Sequence, residues 1–239
     1  MWAAALLLSL ALADTPPPAC QLPDLSRSHE AWSSDFEVHE VMLCHPQAGD
    51  HPARYRYDGR VLAVDPDAAT ATVQPGVVQE DLQRAAAPHG LRFGPDPSSS
   101  SRCTIGGMIG NNACGTRALG YGRTSDNLLG LRAITGSGAP WDAPAVRDGL
   151  SAVTRAGLAT IRTEFGRFGR QVSGFALENL LPEKGFGVHR LLAGSEGTLA
   201  VITEATVRLV SEPAHRVLVV LGYPDIAAAG DATPEVLTY

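Results

Sequence analysis

Apolar and polar positions along this chain alternate in short bursts and reach helical spacing in only a few places. Residues 61–65 (VLAVD) and 70–74 (TATVQ) read as strands joined by a Pro66-Asp67 turn, which predicts an antiparallel pair. Over 78–87, Val78, Leu82 and Ala85 or Ala86 share one helical face, and Pro88-His89-Gly90 ends that helix. A strand is predicted at 128–135, with Gly136-Ser137-Gly138 turning out of it and Trp141 beginning another. A helix follows over 145–156, and a shorter one over 175–181 stops before Pro182. Phe165, Phe168, Phe175 and Leu177 are packing candidates. Residues 199–203 and 205–210 are β-rich; Ala205, Val207 and Leu209 alternate with Thr206, Arg208 and Val210, the mark of a half-buried strand. Pro213 ends it. Residues 216–223 (RVLVVLGY) predict a further apolar strand, and a helix is expected from Asp225 with Pro234 interrupting it. Short β-rich segments with helical ones between them predict an α+β fold. Residues 61–210 should form one unit, an antiparallel or mixed sheet flanked by helices.

Residues 94–138 break this pattern. GPDPSSSSRCTIGGMIGNNACGTRALGYGRTSDNLLGLRAITGSG crowds glycines and small polar residues together, with Cys103, Ile105, Met108, Ile109, Ala113 and Cys114 among them. Glycine loses more entropy on folding than other residues, so such density points to close backbone approach or positive φ. One reading is a flexible surface loop. The interspersed apolar residues favour a loop packed against something, whose free backbone N–H groups form an anion-binding nest. A second glycine-bearing run, GSEGTLAVIT, lies at 194–203.

Composition narrows the classes. The 239 residues suffice for one large domain or two small ones, and 44% hydrophobic content suits a globule. With a net charge of −6 and scattered arginines, no nucleic-acid surface is expected. The four cysteines, at 20, 44, 103 and 114, form no CxxC and assign no disulfide. Cys103 and Cys114 read as small buried thiols, whereas Cys20 and Cys44 can pair only if the chain is exported. Residues 29–51 hold Trp32 with His29, His39, His45 and His51 at no metal-site spacing, so no metal site is expected. A dinucleotide fingerprint GxGxxG, a Walker A loop and a GxSxG elbow are all missing; GGMIGNN has the wrong spacing for the first.

The words PDPSS, TIGGMIGNNACG, YGRTSDN and GSEGTLAVIT together resemble the cofactor-binding region of FAD-linked oxidases of the vanillyl-alcohol oxidase (PCMH) type. The branch they are most similar to is that of glycolate oxidase, D-lactate dehydrogenase and D-2-hydroxyglutarate dehydrogenase. The resemblance covers about residues 61–230. It implies FAD as cofactor and oxidation of a D-2-hydroxy acid to the 2-keto acid, a base taking the hydroxyl proton while hydride passes to the flavin. It also implies an electron acceptor (a quinone, cytochrome or electron-transfer protein) and leaves room for a companion subunit. The family's PRGxGTS diphosphate loop has no counterpart before residue 61, and only the start of its cap domain is matched. The alternatives are therefore a non-catalytic flavin-binding subunit or an inactive fragment.

Carried onto this sequence, the resemblance gives as cofactor-binding residues Pro75, Gly76, Asp96, Pro97, Ser98, Gly106, Gly107, Asn111, Asn112, Gly115, Tyr121, Gly122, Thr124, Asp126, Gly194, Glu196, Gly197 and Ile202. Gly106, Gly107, Gly115, Gly194 and Gly197 are expected to face a common cavity. Asp126 also suits a plain turn or cap, and Glu196 an ordinary surface carboxylate. No catalytic base is assigned; His189, the histidine beside a site motif, reads better as a surface or strand-edge residue. The expected organisation is a signal-like segment at 1–13, an irregular region at 14–60, the FAD-binding subdomain at 61–212 and the start of a substrate domain at 213–239. Residues 1–13 (MWAAALLLSLALA) read either as a secretory signal or as an unusual N-terminus. The family resemblance implies a cytoplasmic protein or one peripheral to the inner membrane face; a true signal implies export.

Overall fold

The computed structural model describes residues 59–167 and 174–238 and the backbone of two strands nearer the N-terminus. Those strands, β1 (Glu40–Leu43) and β2 (Ala53–Arg56), pair antiparallel within the stretch expected to be irregular. The signal-like segment, His29, His39, His45 and His51 with Trp32, the Cys20–Cys44 pair and Phe168 lie outside the described residues.

β3 (Val61–Asp65), β4 (Thr70–Val73), β5 (Leu91–Phe93), β6 (Leu128–Thr135) and β7 (Ala200–Ser211) build one antiparallel sheet. Its axis is β7, the last strand in sequence. β4 pairs with it from Thr70↔Arg208 to Val73↔Ala205, β6 from Leu128↔Val207 to Thr135↔Ala200, and β5 takes its last three residues. The sequence pattern divides β7 at Glu204, yet the strand is continuous. Its buried side runs through Ala200 and Ile202, then changes phase to Ala205, Val207 and Leu209. The pairing with β6 slips between Arg132 and Ala133 at the same place, so a bulge accounts for the broken alternation.

Seven helices are described: α1 (Gln79–Ala86), α2 (Ile105–Asn111), α3 (Ala118–Tyr121), α4 (Pro144–Ala156), α5 (Leu158–Glu164), α6 (Val188–Leu191) and α7 (Ile226–Val236). α1 buries Gln79, Leu82 and Ala86, one face at helical spacing. Burying Leu82 completely contributes about 1.5–3 kcal/mol. On the same helix the Gln83 amide group bonds both ways with Phe93: Oε1 accepts from its N–H at 2.9 Å and Nε2 donates to its carbonyl at 2.9 Å. A side chain thus stands in for a missing neighbour strand beside β5, and a strand of three residues is held in place. The α+β unit predicted for 61–210, with an antiparallel or mixed sheet, is observed among the described residues, and its sheet is antiparallel.

Four local expectations change. The glycine tract at 105–111 is a helix, because Ile105, Met108 and Ile109 make a buried stripe and Thr104 caps it, its hydroxyl oxygen accepting from Gly107 N–H at 3.1 Å. Trp141 starts no strand; it is pinned in the core, its N–H donating to the Ala133 carbonyl at 2.8 Å and its indole Nε1 to the Val188 carbonyl at 3.1 Å. Residues 216–223 form no strand. Their composition favours one, but a strand needs a ladder partner, and Val217 and Leu218 stand 84% and 89% exposed. Pro234 does not interrupt α7, which closes beyond it through a Leu237 N–H to Thr233 carbonyl bond of 3.0 Å. Among the described residues no helix is long and apolar enough to cross a membrane, and no group of three His, Cys, Asp or Glu is placed to hold a metal ion.

Candidate functional site

The short helix α2 is where the separate sequence words meet. Its N-terminus is clamped to the Pro75-Gly76-Val77 turn: Gly106 N–H donates to the Pro75 carbonyl and Ile105 N–H to the Val77 carbonyl, both at 2.8 Å. The approach is close. A Cβ on Gly106 would stand 2.6 Å from Pro75 Cβ, so only glycine fits. The C-terminal end of α2 receives the second glycine run. Gly194 N–H donates to the Ile109 carbonyl at 2.9 Å, Glu196 N–H to the Gly110 carbonyl at 3.0 Å, and Asn111 Nδ2 to Glu196 Oε1 at 2.9 Å. The two backbone bonds give added partners to carbonyls at the helix end, where intrahelical donors run out. Asn112 and Glu196 both adopt positive φ, +50° and +52°.

The Tyr121–Asp126 arc closes on the same end. Buried Asn112 accepts the Ser125 N–H at 3.0 Å, and buried Thr124 donates from both its N–H and its hydroxyl to the Ala113 carbonyl, at 2.9 and 2.7 Å. Asp96 and Pro97 complete the ring. Arg117 Nε lies 2.9 Å from Asp96 Oδ2, and Gly115 is packed against the Asp96 carbonyl. Ser98 is exposed beside them.

Of the residues singled out, Pro75, Asp96, Gly106, Asn111, Asn112, Gly115, Thr124, Gly194 and Glu196 are thus joined to α2 or to the turns that flank it. Tyr121 packs against Gly94, and Gly122, at φ +76°, against Asp126. Gly76 presents its carbonyl to Gly59. Asp126 forms a compact unit with Arg123: burial raises its carboxyl, but hydrogen bonds from the Arg123 side chain and N–H outweigh that and hold it below the usual range. Ile202 is buried in β7, paired with Ala133. Sequence reasoning passed over Arg117 and Thr104. An arginine set between the glycines of the tract and a threonine just before a buried apolar stripe are the signals each carried.

The five glycines expected to share a cavity divide into two groups. Gly106 and Gly115 are turned against protein atoms, while buried Gly194 donates its N–H within the ring. Gly107 and Gly197 are exposed with open side-chain positions; Gly197 has nothing within 4 Å, and Gly107 only Thr104 Oγ1 at 3.2 Å. Gly107 and Asn111 are four residues apart, hence on one helical stripe, and Asn111 bonds Glu196, the neighbour of Gly197. Both open positions therefore border one exposed face.

His189 on α6 is half-buried. Burial, reinforced by the neighbouring Arg190 charge, lowers its pKa below the ordinary histidine value, and the Leu128 backbone nearby only partly offsets this. The unfolded chain binds this proton more readily than the folded one, so stability rises with pH through the window between the lowered folded value and about 6.5. His189→Gln is expected to flatten that part of the profile, measured by urea unfolding at pH 5 to 8. A slope equal to that of the wild type would exclude the His189 proton as its source.

Residues 55–143 match the family profile of the FAD binding domain. Glycolate oxidase subunit GlcD of Bacillus subtilis is 33% identical over 192 residues, 80% of this chain and 34% of that protein. D-2-hydroxyglutarate dehydrogenase of Haemophilus influenzae is 36% identical over 180 residues, 66% of this chain and 18% of that protein. D-lactate dehydrogenase of Archaeoglobus fulgidus is 33% identical over 175 residues, 73% of this chain and 32% of that protein. The chain thus spans about a third or less of the length of each of these relatives. The matched stretch contains the Pro75 turn, α2 and the Tyr121–Asp126 arc that the hydrogen bonds draw together, so this part of the chain is similar to an FAD binding domain.

Proposed function

We propose that this chain is the flavin-binding part of an FAD-dependent dehydrogenase or oxidase that converts a D-2-hydroxy acid of the glycolate, lactate or 2-hydroxyglutarate type to its 2-keto acid. The observation that carries the reading is the face bordered by Gly107 and Gly197. Two side-chain positions stay open there, while the glycines beside them are used up in fixing the backbone. Such a face fits a flat dinucleotide approached closely by backbone, with Asn111 and Glu196 at its edge. When bound, FAD supplies the capacity to accept two electrons from the hydroxy acid. The chain's own residues hold and orient. Gly107 and Gly197 permit approach, Asn111 and Glu196 offer polar contacts, and the Asp96–Ser98 turn and the Tyr121–Asp126 arc frame the sides. His189 is half-buried on α6 and is not assigned as a base.

Purified protein incubated with excess FAD and then desalted is expected to retain a flavin absorbance band near ~450 nm, and to reduce an artificial electron acceptor with glycolate, D-lactate or D-2-hydroxyglutarate. Protein that retains no flavin would overturn the reading. Retained flavin without turnover of any of the three acids would favour a second reading, a flavin-binding subunit that acts with a companion chain. Similarity to a protein named as a glycolate oxidase subunit supports that alternative.

A further inference from the structure

β5 carries an arginine at a position that is only 7% exposed. Arg92 lies between two carboxylates from distant parts of the chain, with Nη2 4.0 Å from Asp96 Oδ2 and Nη1 3.4 Å from Glu212 Oε2. Each carboxylate has a second cation: Arg117 at 2.9 Å from Asp96, and Arg216 paired with Glu212. Arg117, Asp96, Arg92, Glu212 and Arg216 thus form a line of alternating charge with a buried centre. Among the described residues Arg92 Nε has no partner, and burial together with the Arg117 charge pulls its pKa below the ordinary arginine value. A buried guanidinium that loses one carboxylate is left under-compensated, so each end of the line is sensitive to the other.

The two ends do different things. Asp96 belongs to the turn against which Gly115 is packed, at the rim of the α2 ring. Glu212 is the first residue beyond β7, its N–H bonded to the Gly90 carbonyl at 2.8 Å, and Arg216 opens the exposed apolar run Val217, Leu218, Val219, Val220 and Leu221. We propose that Arg92 is a positioning residue that couples the Asp96 turn to the segment leaving β7 at Glu212, so that the placement of residues 212–216 sets the geometry of the flavin-binding rim. The consequence for flavin rests on the function proposed above; the coupling itself does not. Arginine suits the task because its planar fork reaches two carboxylates at once, whereas lysine offers a single point charge.

Glu212→Gln tests this from the far end, since it touches none of the residues placed in the cofactor face. Amide exchange of the protein without flavin is compared with that of the wild type, alongside FAD affinity and Tm. The expected result is exchange faster by about fivefold in 96–104 and 113–118, against a smaller change in β4 and β6, together with weaker FAD binding and a lowered Tm. Arg92→Lys should loosen the same two segments while keeping the charge. Glu80→Gln, an exposed carboxylate on α1, should do neither. Exchange in both segments within about twofold of the wild type in Glu212→Gln and Arg92→Lys would overturn the coupling, whatever the flavin does. Loosened segments in a protein whose wild type binds no FAD would uphold the coupling and overturn the flavin reading instead.

Discussion

Gly115→Val is expected to destabilise the protein by about 3 kcal/mol or more, roughly 6–12 °C in Tm, and to cost flavin binding only as a result. A Cβ at residue 115 falls onto the Asp96 carbonyl, with the Asp96 carbon and Pro97 N immediately behind it. All three are backbone atoms, so no rotamer change relieves the clash. The turn must move away, and with it go the Arg117–Asp96 ion pair and the seat of Arg92. Gly106→Val meets Pro75 Cβ at 2.6 Å and its carbonyl at 3.0 Å, and should fall in the same class. Gly120→Val is the control: it has nothing within 4 Å and should cost less than about 1 kcal/mol. Thermal melts followed by circular dichroism separate the three. A Gly115→Val protein that melts with the control would show that the Asp96 turn is not held against residue 115.

That close approach was not legible in the sequence, and the reason is physical. The density of glycines announced that some backbone must come near something, but the partner of Gly115 lies nineteen residues back, at Asp96, and that of Gly106 at Pro75. Local pattern carries no information about such pairings. What it does carry is periodicity and turn chemistry: β3 was readable from its β-rich run and the Pro66-Asp67 turn, and β4, α1 through Leu82 and Ala86, β6, α4 and both halves of β7 from the positions they bury. α2 escaped because glycines and an asparagine fill four of its seven positions, and each glycine costs about 1 kcal/mol of helix propensity. Burial of Ile105, Met108 and Ile109 and the Thr104 cap override that cost. β5 escaped because three residues show no period and Gln83 supplies half its support. Residues 216–223 misled in the opposite direction, since β propensity describes a surface awaiting a neighbour and the described residues supply none. The site words were legible as words. Their convergence on one short helix needed the hydrogen bonds from Gly194 and Glu196 to be seen.

Gly107→Val and Gly197→Val should behave in the opposite way to Gly115→Val, losing the flavin while keeping the fold. Gly107 lies within α2, where valine has no worse helix propensity than glycine. Its added Cβ meets only the Thr104 hydroxyl at 3.2 Å, so the cost is at most the capping bond, about 1 kcal/mol. Gly197 has open space around it but a φ of +73°, which a β-branched residue tolerates poorly, for about 1–2 kcal/mol. Neither loss unfolds a domain whose core residues Leu82, Phe93, Met108 and Leu128 are untouched. On the exposed face, however, each valine would occupy a position left open by glycine in the space proposed for the cofactor. The paired measurement is bound flavin per chain after reconstitution with excess FAD, against the far-ultraviolet circular dichroism of the same sample. The expected outcome is a wild-type spectrum with flavin occupancy reduced by about tenfold or more, which corresponds to about 1.4 kcal/mol or more of lost binding. Full occupancy in both variants would place the cofactor elsewhere. Loss of flavin together with loss of helix signal would return these glycines to the same structural role as Gly106 and Gly115.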